Sequence, residues 1–442
     1  MRNKVWSLFA LLLISALVLA ACPAPAAAPS QSAPAAQAPA ASNAVTETKT
    51  TTGTTASGGG AAAGGATKIT IWHGWGGDYF TAIEKTFKDY EAAHPNVKIE
   101  LSKPDNLSDA AKVAIPAGQG PDIYAWVNDQ IGSQALAGYI VPLNDMGIDE
   151  GFLKSTYEPA AVNGVIWQGK IWGLPETQEG IALVYNKALV TAEYLPKDPM
   201  DFADLLAKAK AFKEKTGKPL ICNQGFPGKD AYHIAPVFFG FGVPSYVDDQ
   251  GKVTLNTPEG AKAGQWLKEI SQVVDKEESD EICNTSFAEG KVGMRWTGPW
   301  AIADIEKAKI DYGILPMGKP FVGIKTLMIT SNAVDRKNAE AALDIIKYFT
   351  SADVQKKLAL ANKTIPAATA AVKDPEVQKL TAVAGFGAAL NLGIPMANTP
   401  YASAQWGPVG DAVAAIWNGS QAPDQALAAA QKAIEDAVAQ MK

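Results

Sequence analysis

Several of the eleven tryptophans of this chain stand beside turn residues instead of inside an apolar period. Trp72 and Trp75 flank His73-Gly74, Trp126 precedes Asn128-Asp129, Trp296 and Trp300 flank Thr297-Gly298-Pro299, and Trp406 precedes Gly407-Pro408. Turns that follow strands are where open α/β sheets hold their ligands. The carboxylates Asp129, Glu176, Glu179 and Asp230 lie near these aromatics or in turn-like contexts of their own. A pyranose ring has apolar faces and a belt of hydroxyls, so flat indoles beside carboxylates and amides are the ingredients of a sugar site. The same carboxylates could instead act as an acid/base pair. Glycoside hydrolysis would need two of them at a defined separation, one with a raised pKa, and sequence does not fix that distance.

Other chemistries are absent from the residue pattern. There is no G-x-S-x-G elbow, no phosphate-binding loop, and no G-x-G-x-x-G after a strand. His73, His94 and His233 are isolated, and three cysteines in so long a chain leave no clustered zinc or haem motif, so no cofactor is expected. The 442 residues carry 39 basic and 45 acidic groups, a net charge of −6 that offers nucleic acid no electrostatic footprint.

The elements that must position these residues begin after a distinctive N-terminus. Arg2 and Lys4 precede an uncharged apolar run, Val5 to Ala21, with the layout of a secretory signal over residues 1–21. The run ends Leu19-Ala20-Ala21-Cys22, which resembles a bacterial lipobox, so Cys22 is the expected lipidated first residue of the mature chain. From there to residue 66 the composition is dominated by Ala, Pro, Ser, Thr and Gly with almost no large apolar side chain, a disordered tether with a reach of about 35 to 40 Å. The expected location is therefore outside the cytoplasm, at the membrane surface.

The body starts at Thr67. Ile69 and Ile71, then Val97, Ile99 and Leu101, then Asp122 to Trp126 read as strands, with Phe80, Ile83, Phe87 and Tyr90 at helical spacing between the first two. This β-α-β-α-β order implies a parallel sheet and an α/β fold. Asp201 and Thr257-Pro258 read as helix starts, Trp266 as a core residue of the second of these helices, and His94 as a C-terminal cap. A helix is expected from Lys337 to Phe349 with Ala341, Ile345 and Tyr348 inward, and a last one from Pro423 to Met441 on Leu427, Ala430 and Ile434. The body's length calls for two domains. In an oxidising compartment Cys222 and Cys283 are free to pair, subject to a Cα separation that sequence does not supply.

These segments resemble the extracellular solute-binding proteins of ABC transporters, specifically the maltose/maltodextrin-binding branch. The resemblance runs from Ile69 to the C-terminus through Gly120-Pro121-Asp122-Ile123 with Trp126 and Asp129, Glu179 with Val184-Tyr185-Asn186-Lys187, Gly298-Pro299-Trp300-Ala301, Lys319-Pro320-Phe321-Val322-Gly323, and Ser403-Ala404-Gln405-Trp406. It implies a two-lobed periplasmic-binding-protein fold with a ligand cleft and a hinge, the first lobe from 67–177 with 321–372 and the second from 178–320 with 373–442. It also implies a sugar-binding set: Trp126 and Asp129 on the first lobe, Glu179 near the hinge, and Asp230, Tyr232, Trp300 and Trp406 on the second. Trp75-Gly76 and Gln130 replace charged residues common in that branch, so Trp75 is expected to stack on sugar where polar contacts are lost. The function so implied is a lipid-anchored, monomeric receptor, not an enzyme, that hands maltose or maltodextrin to permease subunits. The alternatives are a surface glycoside hydrolase and a glycan-binding adhesion or sensor protein.

Overall fold

The computed structural model describes residues 66–442; the expected signal, Cys22 and nearly all of the tether lie outside the described residues. Thr67–His73 alternates, burying Ile69, Ile71 and His73 on one face. It pairs in parallel with Val97–Ser102 on one side and Ile123–Val127 on the other, the arrangement that the β-α-β-α-β reading requires. The intervening helix Gly77–Ala93 buries Tyr79, Ile83, Phe87 and Tyr90. Tyr79 thus takes the inward place expected of Phe80, which is half-buried and stacks on His73 at 4.8 Å. His94 caps this helix, its Nδ1 lying 2.9 Å from the Tyr90 carbonyl oxygen.

The strand Phe321–Ile329 returns from far along the chain and runs antiparallel between Ile123–Val127 and Leu174–Glu179. Ile365–Pro366 extends that seven-stranded sheet at its edge, and Ile394–Pro395 pairs with Phe321 and Val322. The strand Leu174–Glu179 runs through the boundary expected between 177 and 178, and Ile394–Pro395 joins the first sheet from a segment expected in the second lobe. A second, four-stranded sheet has the order Tyr312–Leu315, Ala182–Asn186, Met294–Thr297, Ile221–Cys222. The chain therefore leaves the first sheet after Glu179 and re-enters it at Phe321.

Each sheet has its own apolar core. Ile71, Ile123, Leu174, Leu327 and Phe349 belong to one cluster, and Phe238, Leu267, Trp296, Val413 and Ile434 to another. Trp266 is core as expected, its Nε1 donating to the Phe202 carbonyl at 2.8 Å. Asp201 and Thr257 are N-caps, accepting from the amides of Asp204 and Gly260. The last helix, Pro423–Met441, buries Leu427, Ala430 and Ile434. One helix differs from its expectation: it spans Ala339–Phe349 and buries Ala342, Ile345, Ile346 and Phe349, leaving Ala341 and Tyr348 half-buried. Lys337 has a positive φ of 63°, which breaks the helix before Ala339, and the true apolar stripe is centred one position further round. Among the described residues no helix is long and apolar enough to cross a membrane.

Candidate functional site

A cleft of about 1480 Å³ runs between the two sheets' halves of the body, and the seven residues of the implied sugar-binding set line it together with Trp75. Trp126 is at the end of its strand, and Asp129 is in the turn Asn128–Gln130 that follows. Trp300 sits in the turn Pro299–Ala301 after the strand Met294–Thr297, and Trp406 opens the helix Trp406–Asn418.

Two of the indoles depend on glycines. A Cβ on Gly74 would lie 2.0 Å from Trp126 Cζ3, and one on Gly298 would lie 2.1 Å from Trp300 Cζ3. Each ring therefore rests against bare backbone that any side chain would displace. Trp300, Tyr232, Phe321 and Trp406 form a continuous aromatic wall, with ring centroids 6.3, 6.2 and 5.7 Å apart in that order. Phe321 is buried and links the half-buried Tyr232 to the half-buried Trp406.

The carboxylates have distinct environments. Asp129 is buried, and its Oδ2 accepts from Trp406 Nε1 at 2.9 Å and from Gln130 Nε2 at 2.8 Å. Burial pushes its pKa up to about 6 against these two bonds. Gln130 is held in turn by Ser108, whose hydroxyl donates to Oε1 at 2.9 Å. Asp230 caps the helix Ala231–Gly240, accepting the His233 amide on Oδ1 and Gln224 Nε2 on Oδ2. Its Oδ2 also lies 2.7 Å from His233 Nδ1. Burial alone would raise the Asp230 carboxyl, but the charge and hydrogen bonds of His233 and Gln224 hold it well below the usual carboxylate range.

Glu176 and Glu179 share the cleft floor for a reason of register. Residues of odd number face the same way along Leu174–Glu179, so Glu176 should point away from Glu179. Opposite the neighbouring pair Lys325 and Thr326, however, the partner positions jump from Thr177 to Pro175. Glu176 is the extra residue of a β-bulge, and the bulge re-aims its side chain to the face of Thr177, Glu179 and Lys325. There Trp75 Nε1 donates to Oε2 at 3.2 Å and the Tyr79 hydroxyl donates to Oε1 at 3.1 Å.

Trp75 departs from the stacking role expected of it. It is 3% exposed, stacked on His73 and packed against Phe87 and Phe349, so almost none of its surface is open to a ligand, and its N–H is committed to Glu176. Sequence reading also passed over Tyr79 and Lys325. The signal for Lys325 was present: it is the lone charge in the otherwise uncharged strand Phe321–Ile329, and an isolated charge in a buried strand needs a partner.

Burial raises the Glu176 pKa to about 7, opposed by Lys325 and assisted by Glu179. Its folded-state value lies above the ordinary one, so its favourable contribution is present at acid pH and lost as pH rises from the ordinary carboxylate range through about 7. Glu176→Gln cannot ionise and keeps an acceptor for Trp75. The variant should exceed the parent in stability by about 2 to 3 kcal/mol at about pH 8 and lose that advantage by about pH 5. Thermal unfolding of both proteins at the two pH values checks this; a stability difference that does not change with pH would count against it.

Cys222 and Cys283 form a disulfide with Cα atoms 5.5 Å apart. Among the described residues the one grouping of metal-ligating type is this pair with Glu278, and the disulfide occupies two of its three members.

Residues 85–385 match the sequence profile of the family described as bacterial extracellular solute-binding protein. The chain is 30% identical over 364 residues to the maltotriose-binding protein of Pyrococcus abyssi, covering 78% of this chain and 76% of that protein. It is 26% identical over 349 residues to the galactooligosaccharide-binding protein of Bacillus subtilis, covering 74% and 78%. The fold is similar to that of the Thermus thermophilus maltotriose-binding protein solved with maltotriose, with a TM-score of 0.73 at 24% identity over 84% of this chain and 100% of that one. With a two-halved α/β body, an aromatic cleft between the halves, and a family match over most of its length, the chain belongs to the bacterial extracellular solute-binding proteins.

Proposed function

We propose that the protein is a lipid-anchored extracytoplasmic receptor that captures a maltose- or maltodextrin-type α-glucan oligosaccharide and delivers it to the permease subunits of an ABC transporter. The observation that carries this reading is the cleft itself: about 1480 Å³, walled by Trp126, Trp300, Tyr232 and Trp406, with Asp129, Glu179 and Asp230 among them. That volume exceeds the ~300–1,000 Å³ of ordinary small-molecule pockets, which favours an oligosaccharide over a single sugar. The similarity to the Pyrococcus maltotriose-binding protein supports the α-glucan. The two lobes, divided where the chain leaves the first sheet after Glu179 and re-enters it at Phe321, would each supply part of the contacts, and sugar would favour the closed arrangement by contacts the open one lacks. Lipid on Cys22 and the tether up to residue 66 would hold the body near the membrane as a monomer.

The carboxylates argue for binding over hydrolysis. Asp129 is engaged by Trp406, Glu179 by Lys325, Asp230 by Gln224, and Glu176 by Trp75 and Tyr79. Each is held by groups of the protein, which suits fixed hydroxyl acceptors better than a free acid and nucleophile.

Calorimetric titration of residues 67–442 with maltose, maltotriose, longer maltodextrins, trehalose and a galactooligosaccharide tests the proposal. The expected result is saturable 1:1 heat with α-glucan oligosaccharides and recovery of intact sugar. Silence toward every α-glucoside would remove the assignment, and products accumulating under catalytic amounts of protein would replace it with a hydrolase.

A further inference from the structure

Lys325 stands in the middle of the strand Phe321–Ile329, paired across to Val127 on one side and Thr177 on the other, at the pair where the Glu176 bulge begins. Its side chain is 19% exposed and lies in the cleft. The ammonium is 2.9 Å from Glu179 Oε1, 4.7 Å from the centroid of the Tyr79 ring and 5.8 Å from that of Trp300. Both aromatic distances are within cation–π range. The four groups come from separate parts of the fold: Glu179 and Lys325 from adjacent strands of the first sheet, Tyr79 from the helix Gly77–Ala93, and Trp300 from the turn after a strand of the second sheet.

A buried ion pair is a poor way to stabilise a fold, because an apolar pair of similar volume avoids the desolvation of both charges. What such a pair provides is a fixed arrangement. Here it fixes an acceptor and an aromatic face that belong to opposite halves of the body. We infer that Lys325 is a positioning residue of the cleft, whose ammonium holds the Glu179 carboxylate and the Trp300 indole in the relative placement that a pyranose ring meets. The inference rests on the sugar-binding reading and adds to it a residue that sets selectivity from beneath the ligand. The ionisable groups facing the ammonium are Glu179 and Glu176 from the strand Leu174–Glu179 and Tyr79 from its helix; Tyr232, on the helix Ala231–Gly240, is itself subject to the Glu179 charge.

The test uses the full chain and three variants. Lys325→Met keeps the aliphatic stem and removes the charge; Lys325→Arg keeps a cation; the double variant Lys325→Met with Glu179→Gln removes both members of the ion pair together, which guards against a folding defect from an orphaned Glu179. Maltotriose affinity should fall about 10- to 100-fold in Lys325→Met, since a charge-assisted contact is lost, and stay within about fivefold of the parent in Lys325→Arg. The double variant should remain weak. A second readout needs no sugar. In a Trp406→Phe background, so that Asp129 no longer titrates beside an indole, the pH midpoint of indole fluorescence follows Glu176 through Trp75, and it should move up when Lys325→Met is added and stay put when Lys325→Arg is added. A parent that binds maltotriose beside an equally tight Lys325→Met, a Lys325→Arg as weak as Lys325→Met, or parental affinity in the double variant would each overturn the inference. An unmoved fluorescence midpoint would do the same. A parent that binds no oligosaccharide would instead remove the sugar-binding reading on which it rests.

Discussion

Replacing Cys222 and Cys283 together with serine should lower the stability of the folded body by roughly 4 kcal/mol, because the bridge closes a loop with a sequence separation of 61 residues and so restricts the unfolded chain. The effect should reach the cleft as well. Cys222 ends the strand Ile221–Cys222, and Gln224, two residues on, donates to Asp230 Oδ2 at 2.8 Å. Cys283 is in the helix Asp280–Ala288, whose Asp280 and Asn284 receive the Arg295 guanidinium, and Asp280 and Arg295 both line the cleft. The bridge thus pins the two segments that carry one end of the cleft's second wall. Denaturant unfolding of oxidised parent and double variant measures the stability term, and sugar titration measures the second effect, a weaker affinity at temperatures where both proteins are folded. Two reactive thiols in unreduced residues 67–442 would remove the premise; equal denaturant midpoints would remove the energetic argument.

What sequence could and could not show follows from the range of the interactions involved. Trp126 and Trp300 were legible because the signal is local, an indole at a strand end beside a turn; Gly298 under Trp300 belongs to that local signal, whereas Gly74 under Trp126 is distant in sequence and was not legible as its seat. The parallel core of the first sheet was legible for the same reason, through alternation and helical spacing within short windows. Glu176 was named as a carboxylate, but its place beside Glu179 was hidden, since two positions three apart in a regular strand face opposite ways and only the bulge opposite Lys325 and Thr326 brings them together. Trp75 looked like a turn residue free to stack, yet the helix Gly77–Ala93 and Phe349 close over it, a packing decided by residues far along the chain. The return of Ile394–Pro395 to the first sheet is a two-residue pairing with no periodicity to announce it.

Trp300→Ala should weaken oligosaccharide binding more than any other single truncation in the cleft. The indole is half-buried, it meets Tyr232 at 6.3 Å, and it packs against all three of the larger apolar clusters of the body. An aromatic anchor of that kind at the centre of a binding surface contributes about 2 to 4 kcal/mol. The corresponding loss is roughly 30- to 1,000-fold in Kd. Because the ring also contributes to packing, the truncation will cost stability, and two further variants separate the effects. Trp300→Phe retains a flat apolar face at smaller area and should recover much of the affinity. Gly298→Ala leaves the indole intact but places a Cβ where the ring now lies, 2.1 Å from Cζ3, so it should displace the stacking face and weaken binding while the chain stays folded. Calorimetry with maltotriose and circular dichroism on the same samples supply both numbers. If Trp300→Ala binds within about threefold of the parent, a difference well under 1 kcal/mol, the wall from Trp300 to Trp406 is packing alone and the sugar must lie elsewhere in the cleft.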